Sequence, residues 1–186
     1  MICNLLKGKK GLIFGVLNDK SIAWKVAKKS FSEGAELVLT NTAAARRLGE
    51  IDQLAKMVNA EVITADATSM EDLNDLVSKT MQIFGGKFDF ILHSIGMSQN
   101  VRKGMSYDEL NYAFFTKTLD ISALSFHRVL STAYKLDAIN EWGSVVALSY
   151  IASQRTLHGY NDMGDAKGFA NAKDMVNKLP TVIREI

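Results

Sequence analysis

A chain of 186 residues, 47% of them hydrophobic and 23% charged, describes one ordinary globular domain with enough length to bury a sizeable core. The net charge of +2 is too small to argue for a nucleic-acid or membrane-surface partner, and no apolar run is long enough to span a bilayer. A single cysteine, Cys3, excludes an internal disulfide and a cysteine metal cluster, and points to a reducing cytoplasm.

The N-terminus lacks the apolar core of a signal peptide. With one proline, Pro180, and no low-complexity stretch, no linker is visible, so a single domain over 1–186 is expected.

In chain order, Gly11–Gly15 is a short apolar run that predicts a buried strand. A helix beginning at Ser21 follows, with Ile22, Val26 and Phe31 near its buried face and Gly34 at its end. Glu36–Thr40 is the second strand. A helix over Ala43–Val58 carries Leu48, Ile51, Leu54, Ala55 and Val58 at helical spacing. The third strand, Glu61–Ala65, ends at Asp66. Thr68 with Glu71 forms a capping box for the next helix, whose apolar stripe is Leu73, Leu76, Val77 and Phe84. Phe88–His93 is the fourth strand and runs into Ser94-Ile95-Gly96. A polar loop from Met97 to about Met105, a long helix over about Leu119–Leu136 and a strand over Val145–Leu148 complete this half. After a second polar loop comes a helix with Asn161 or Asp162 near its start and Phe169, Ala172, Val176 and Leu179 as its stripe.

Strands alternating with helices predict a doubly wound, Rossmann-like parallel sheet covered on both faces. Ligands of such sheets bind at the carboxyl ends of the strands, near the switch in strand order. Gly15, Asp66, Ser94 to Gly96, and Ser149 with Tyr150 all fall at those ends and converge on one crevice.

The first strand–turn–helix unit stands where a dinucleotide fingerprint would, without the G-x-G-x-x-G pattern. Gly15 permits a tight backbone turn, and Ser21-Ile22 opens a helix whose free N–H groups and positive dipole end suit a diphosphate. The second strand ends without the acid that would bind a ribose 2′-hydroxyl. Thr40, Asn41 and Thr42 stand there instead, followed by Arg46 and Arg47, which suit either a 2′-phosphate or plain solvent. Asp66 is an acceptor for an adenine amino group or a simple turn acid, and Ser94-Ile95-Gly96 allows close backbone approach to a ribose.

Tyr160 and Lys167 stand two turns apart on one helical face. A phenol beside an ammonium is a proton donor whose pKa is pulled down, which suits a substrate oxygen that gains charge and then a proton. The histidines carry less. His93 ends a buried strand as a structural residue, His127 lies on a helix without neighbouring ligands, and His158 sits in an exposed loop. No pair has metal spacing.

Gly15-x5-Ser21-Ile22-Ala23, Asp66, His93-Ser94-Ile95-Gly96, Leu148-Ser149-Tyr150 and Tyr160-Asn161-x-Met163-Gly164-x-Ala166-Lys167, in that order, form a specific combination over roughly residues 5 to 168. It closely resembles the enoyl-acyl-carrier-protein reductases of bacterial fatty-acid synthesis, a divergent branch of the short-chain dehydrogenase/reductases. One departure is the spacing of Tyr150 and Tyr160, ten apart here, with the loop 151–159 between them.

The resemblance implies that Tyr160 hydrogen-bonds a thioester carbonyl, that Lys167 holds the nicotinamide ribose, and that Tyr150 is a second active-site tyrosine. It also implies cofactor contacts at Gly15, Ser21, Ile22, Thr42, Asp66, Ala67 and Ile95, and a position at the substrate mouth for Ser98. The implied reaction is reduction of a trans-2-enoyl thioester on acyl carrier protein by NADH, with NADPH left open, in a cytoplasmic homotetramer. Family chains continue past the lysine with a full helix and further strands, whereas Gly168–Ile186 offers one short helix, a proline and a tail. The expectation is therefore a dinucleotide-binding domain incomplete at its C-terminal end. A β-ketoacyl reductase of the wider superfamily and a shortened, non-catalytic nucleotide binder are the alternatives.

Overall fold

The computed structural model describes residues 4–170. Short runs rich in leucine, isoleucine, valine and phenylalanine form the strands β1 (Lys10–Phe14), β2 (Glu36–Asn41), β3 (Glu61–Thr64), β4 (Phe88–His93) and β5 (Ile139–Ala147). All pair in parallel, in the order β3-β2-β1-β4-β5. The intervening helices are α1 (Ile22–Ser32), α2 (Ala43–Leu48), α3 (Ile51–Met57), α4 (Met70–Phe84), α5 (Gln99–Arg102), α6 (Tyr112–Leu119), α7 (Ser125–Lys135) and α8 (Asn161–Ala170).

Successive strand residues point to opposite faces, so a sheet buried on both sides must be apolar at every position. Leu12, Phe14 and Val38 pack with Leu73, Leu76 and Val77 of α4 and with Phe126, Val129 and Leu130 of α7. Their neighbours Ile13, Leu37 and Leu39 face the other way, onto Ala23, Trp24 and Ala27 of α1 and Ile51 and Leu54 of α3. The doubly wound sheet expected from the sequence is present, and no strand beyond β5 occurs among the described residues.

Register decides where the site lies. Phe14 is level with Thr40 on one side and His93 on the other, and His93 is level with Ala147. Gly15, Ser94 and Leu148 therefore emerge side by side at one rim, with Gly15 N donating to Thr40 O and Leu148 N to His93 O, both at 3.0 Å.

Several local expectations are corrected. The buried face of α1 is Ala23, Trp24, Ala27 and Ser30, while Ile22 is 61% and Phe31 41% exposed. Ala23 and Ala27 let the helix approach the sheet closely, Trp24 fills the space beside them, and Ile22 and Phe31 are turned outward. The helix over 43–58 is broken into α2 and α3 at Gly49, whose extended backbone passes within reach of Leu17. A Cβ there would lie 2.5 Å from Leu17 O, and the break leaves Leu48 exposed. The N-cap of α4 sits one residue later than expected, and the reciprocal bond of a capping box is replaced, since Ser69 N donates to Asp66 O at 2.9 Å. Ser69 caps α4 by accepting from Asp72 N at 3.2 Å, and its hydroxyl donates to the Asp72 carboxylate at 3.0 Å.

The expected long helix starts earlier, at Tyr112, and contains a π-helical segment, Asp120–Leu124, between α6 and α7. The final strand also begins earlier, at Ile139, with an irregularity opposite Phe88–Phe90, and the polar loop after β4 contains α5. The expected apolar positions Ala172, Val176 and Leu179 lie outside the described residues.

The two candidate faces of the fold respond differently to truncation. Leu76→Ala is expected to lower the unfolding free energy by about 2–5 kcal/mol, and Ile22→Ala to change it by no more than about 0.5 kcal/mol. Urea unfolding followed by circular dichroism measures both, and equal losses would contradict the observed burial of α1.

Candidate active site

The crevice opens where the strand order reverses, between the loops that follow β1 and β4. Gly15 has a φ of 91°, and a Cβ on it would stand 2.0 Å from Ser94 O. Only glycine lets these two loops touch. Ser21 precedes α1 in extended conformation but does not cap it; its hydroxyl donates instead to Asn18 O at 2.7 Å. The N–H groups at the start of α1, beginning with Ile22, thus have no side-chain cap among the described residues, and beside the Gly15 turn they fit a diphosphate.

Further along the rim, Thr42 caps α2 by accepting from Ala45 N at 3.2 Å. Arg46 is committed elsewhere. Its Nε and Nη2 reach the Asp52 carboxylate at 3.0 and 2.6 Å, and Nη1 donates to Val62 O at 3.4 Å. Hydrogen bonding to Arg46 holds the Asp52 carboxyl below its usual range. Arg47 stays exposed. At the end of β3, Asp66 is exposed with one carboxylate oxygen accepting from the Thr68 N–H and hydroxyl at 2.9 and 2.8 Å, and Ala67 is buried.

Lys167 crosses the rim from below. It is 7% exposed, and its Nζ donates to Leu148 O at 2.7 Å and to Ile95 O at 3.4 Å. One ammonium thereby ties the ends of β4 and β5 together. Burial lowers its pKa. Gly96 lies against the same amine, since a Cβ there would be 3.6 Å from Nζ.

Tyr160 immediately precedes α8, and its carbonyl accepts from Met163 N at 3.1 Å. Its ring centre lies 4.9 Å from that of the half-exposed Tyr150, at an interplanar angle of 48°. The expectation of a depressed phenol pKa is corrected. Burial raises it, with Tyr150 adding to the rise. Lys167 directs its hydrogens at carbonyls, and desolvation dominates at the phenol. Tyr160 is therefore a protonated donor through neutral pH. On its outer side a cleft of about 1120 Å³ is lined by Met105, Tyr107, Ala152, Leu157 and Phe169 among others.

Ser98, expected at the substrate mouth, is 3% exposed and donates to Asp162 at 2.6 Å. Asp162 also accepts from Asn100 Nδ2 at 2.9 Å and from Thr118 Oγ1 at 2.8 Å. This buried cluster escaped the sequence analysis. Its one signal was a charged residue beside the apolar positions Met163 and Ala166. The π-helical segment was also missed. It presents Ser122 to Met97, whose N–H donates to the hydroxyl at 3.0 Å, and precedes Ser125, whose Oγ is 2.9 Å from His93 Nε2.

His93 is structural, as expected: it is 2% exposed and packs between Phe14 and Phe126. Because the Ser125 hydroxyl donates to Ile121 O at 2.6 Å, the imidazole N–H is the donor to Ser125.

With this geometry, a family model described as enoyl-(acyl carrier protein) reductase matches residues 15–173, from the Gly15 turn to beyond Lys167. The chain belongs to this family. Among sequence relatives, enoyl-[acyl-carrier-protein] reductase [NADH] 2 of Rhizobium meliloti is 37% identical over 90% of this chain and 62% of its own length. Among solved structures, FabI from Alistipes finegoldii is 64% identical with a TM-score of 0.89, covering 94% of this chain and 66% of that one. The FabI–NADH complex from Alistipes finegoldii is likewise 64% identical, with a TM-score of 0.90 over 93% of this chain and 60% of that one. The chain thus spans about three-fifths of the length of the relatives it matches.

Burial of His93 makes the fold sensitive to acid. Desolvation, with a smaller contribution from the charge of Lys167, pushes its pKa down from 6.5 to about 3. Between those values the unfolded chain binds a proton that the folded chain does not, so this contribution to stability is complete above pH 6.5 and lost as pH falls towards 3. Below pH 6.5 the wild-type chain should lose up to about 1.4 kcal/mol per pH unit more than His93→Gln. Denaturant titrations at a series of pH values test this, and parallel slopes would refute it.

Proposed function

We propose that this chain carries the dinucleotide- and proton-handling part of an NADH-dependent reductase of trans-2-enoyl thioesters borne on acyl carrier protein. The observation that carries this reading is Lys167 bridging Ile95 O and Leu148 O at the rim that Gly15 shares, with Tyr160 at the start of the same helix. The enoyl-acyl-carrier-protein reductase names of its relatives, and a neighbour solved with NADH, support it.

In this reading Gly15, Ser21 and Ile22 hold the diphosphate, Thr42, Asp66 and Ala67 flank the adenosine half, and Ser94, Ile95 and Gly96 line the nicotinamide ribose. A reduced nicotinamide held by these residues would supply the hydride for the β-carbon of the enoyl group. The electron pair of the double bond moves towards the thioester oxygen, to which the partly buried Tyr160 offers its phenolic hydrogen. A proton at the α-carbon completes the saturated product. Tyr150, half-exposed against Tyr160, links that phenol to the solvent side of the cleft. An ammonium has three hydrogens, and Lys167 directs two of them at Ile95 and Leu148, so the third serves the ribose hydroxyls. Commitment of Arg46 to Asp52 favours NADH over NADPH. A homotetramer in the cytoplasm belongs to the same proposal. Among the described residues no helix is long and apolar enough to cross a membrane.

NADH oxidation with a short trans-2-enoyl thioester tests the activity, with a β-ketoacyl thioester as the competing substrate. Turnover of the ketone alone would point to a carbonyl reductase, and binding without turnover to a nucleotide-binding protein. Tyr160→Phe is expected to lower kcat by about 10²–10³-fold with NADH affinity retained; unchanged turnover would remove Tyr160 from the mechanism. Gly15→Ala should abolish NADH-fluorescence binding, because its Cβ would meet Ser94 O at 2.0 Å. Wild-type affinity in that variant would place the dinucleotide elsewhere.

A further inference from the structure

Asp162 lies between Tyr160 and Lys167 in sequence, at the start of α8, and is fully buried. Its Oδ1 accepts from Ser98 Oγ at 2.6 Å and its Oδ2 from Asn100 Nδ2 at 2.9 Å, and Thr118 Oγ1 lies 2.8 Å from Oδ2 and 2.9 Å from Phe114 O, which share its one hydrogen. Ser98, Asn100 and Thr118 are themselves 3%, 0% and 1% exposed. Among the described residues no cation forms an ion pair with Asp162. A buried carboxylate without a cation is strongly unfavourable unless hydrogen bonds and a helix N-terminus compensate it, and here both are present.

The donors are themselves fixed. Asn100 exchanges hydrogen bonds with the Asn111 backbone in both directions, at 3.2 and 3.1 Å, so its amide cannot turn round. Ser98 Oγ also accepts from Val101 N at 3.0 Å. Three separate pieces of chain, the turn into α5, the end of α6 and the start of α8, thus meet on one carboxylate.

We propose that Asp162 is a positioning residue for the reductase site. Its carboxylate clamps α8 to the segment after Gly96 and so holds Lys167 against the carbonyls of Ile95 and Leu148 and fixes the start of α8, which Tyr160 precedes. The assignment rests on the proposed reductase function. A carboxylate that merely filled the core would affect melting temperature alone, whereas a clamp on the reacting groups also changes the site in protein that is fully folded.

The test uses the 186-residue chain as wild type, Asp162→Asn and the milder Thr118→Val, each below its melting transition by circular dichroism. Hydrogen–deuterium exchange, NADH affinity by fluorescence, and kcat and KM for a short trans-2-enoyl thioester are measured on each. Asp162→Asn should accelerate exchange in peptides covering 97–105 and 160–167 while β1 and β2 exchange as before. It should also weaken NADH binding and lower kcat by about 10²-fold at unchanged KM, the cost of misplacing a reacting group by about 1 Å. Thr118→Val should move the same quantities less, and it decides the matter if Asp162→Asn does not fold. A lower melting temperature with wild-type exchange at 160–167, NADH affinity and kcat would overturn the proposal. Should the wild type itself neither bind NADH nor turn over, the reductase function fails separately, and unchanged exchange at 160–167 would then refute the clamp.

Discussion

The level register of four parallel strands is the constraint from which the site follows. With Phe14, Thr40, His93 and Ala147 at one height, the chain leaves β1, β4 and β5 at a common rim. Gly15 and Ser94 are close enough there for the missing Cβ of the glycine to matter, and the carbonyls of Ile95 and Leu148 are close enough for one lysine to reach both. A slip of one residue in any of these pairings would turn the apolar strand residues to the opposite faces and take the rim apart. Core packing on both sides of the sheet therefore protects the crevice as well as the fold.

Below that rim the site is stiffened by polar groups that are buried and satisfied. Lys167 is held by two backbone carbonyls, Asp162 by three polar side chains, and His93 by Ser125 between two phenylalanines. Such groups tolerate little displacement, because each would be costly if left unpaired in the interior. The π-helical segment between α6 and α7 belongs to the same arrangement, since its Ser122 meets the loop after β4. Extra residues in a helix at such a place commonly accompany a functional site. Tyr160 differs in kind. Its phenol sits at the edge of the cleft, and partial burial together with Tyr150 keeps it protonated.

Strand positions, the order of elements and the residues at the strand ends were legible in the amino-acid pattern, because a sheet buried on both faces requires short, wholly apolar runs. Helix faces were less legible. On α1 the apolar Ile22 and Phe31 point outward, and the contact is made by Trp24 together with Ala23 and Ala27, whose small side chains allow close helix–sheet approach. The single helix drawn over 43–58 ignored Gly49, whose need for a bare Cα arises only from the proximity of Leu17 in space. The cap of α4 was misplaced by one residue because Thr68 and Ser69 offer the same hydroxyl chemistry, and backbone geometry alone chooses between them.

Sequence alone was enough to establish a doubly wound parallel sheet, to place Gly15 and Ile95 just past the carboxyl ends of its strands, and to set Tyr160 and Lys167 two turns apart along the last described helix, since those follow from local patterning and chain order. Tertiary structure decided what those residues do to one another: that Lys167 spends its hydrogens on Leu148 and Ile95, that the Tyr160 phenol is raised and not lowered, and that Ser98 serves Asp162 from within the core. The reason is physical. Burial and hydrogen-bond partners come from segments far apart in the chain, and desolvation at a given side chain depends on all of them at once.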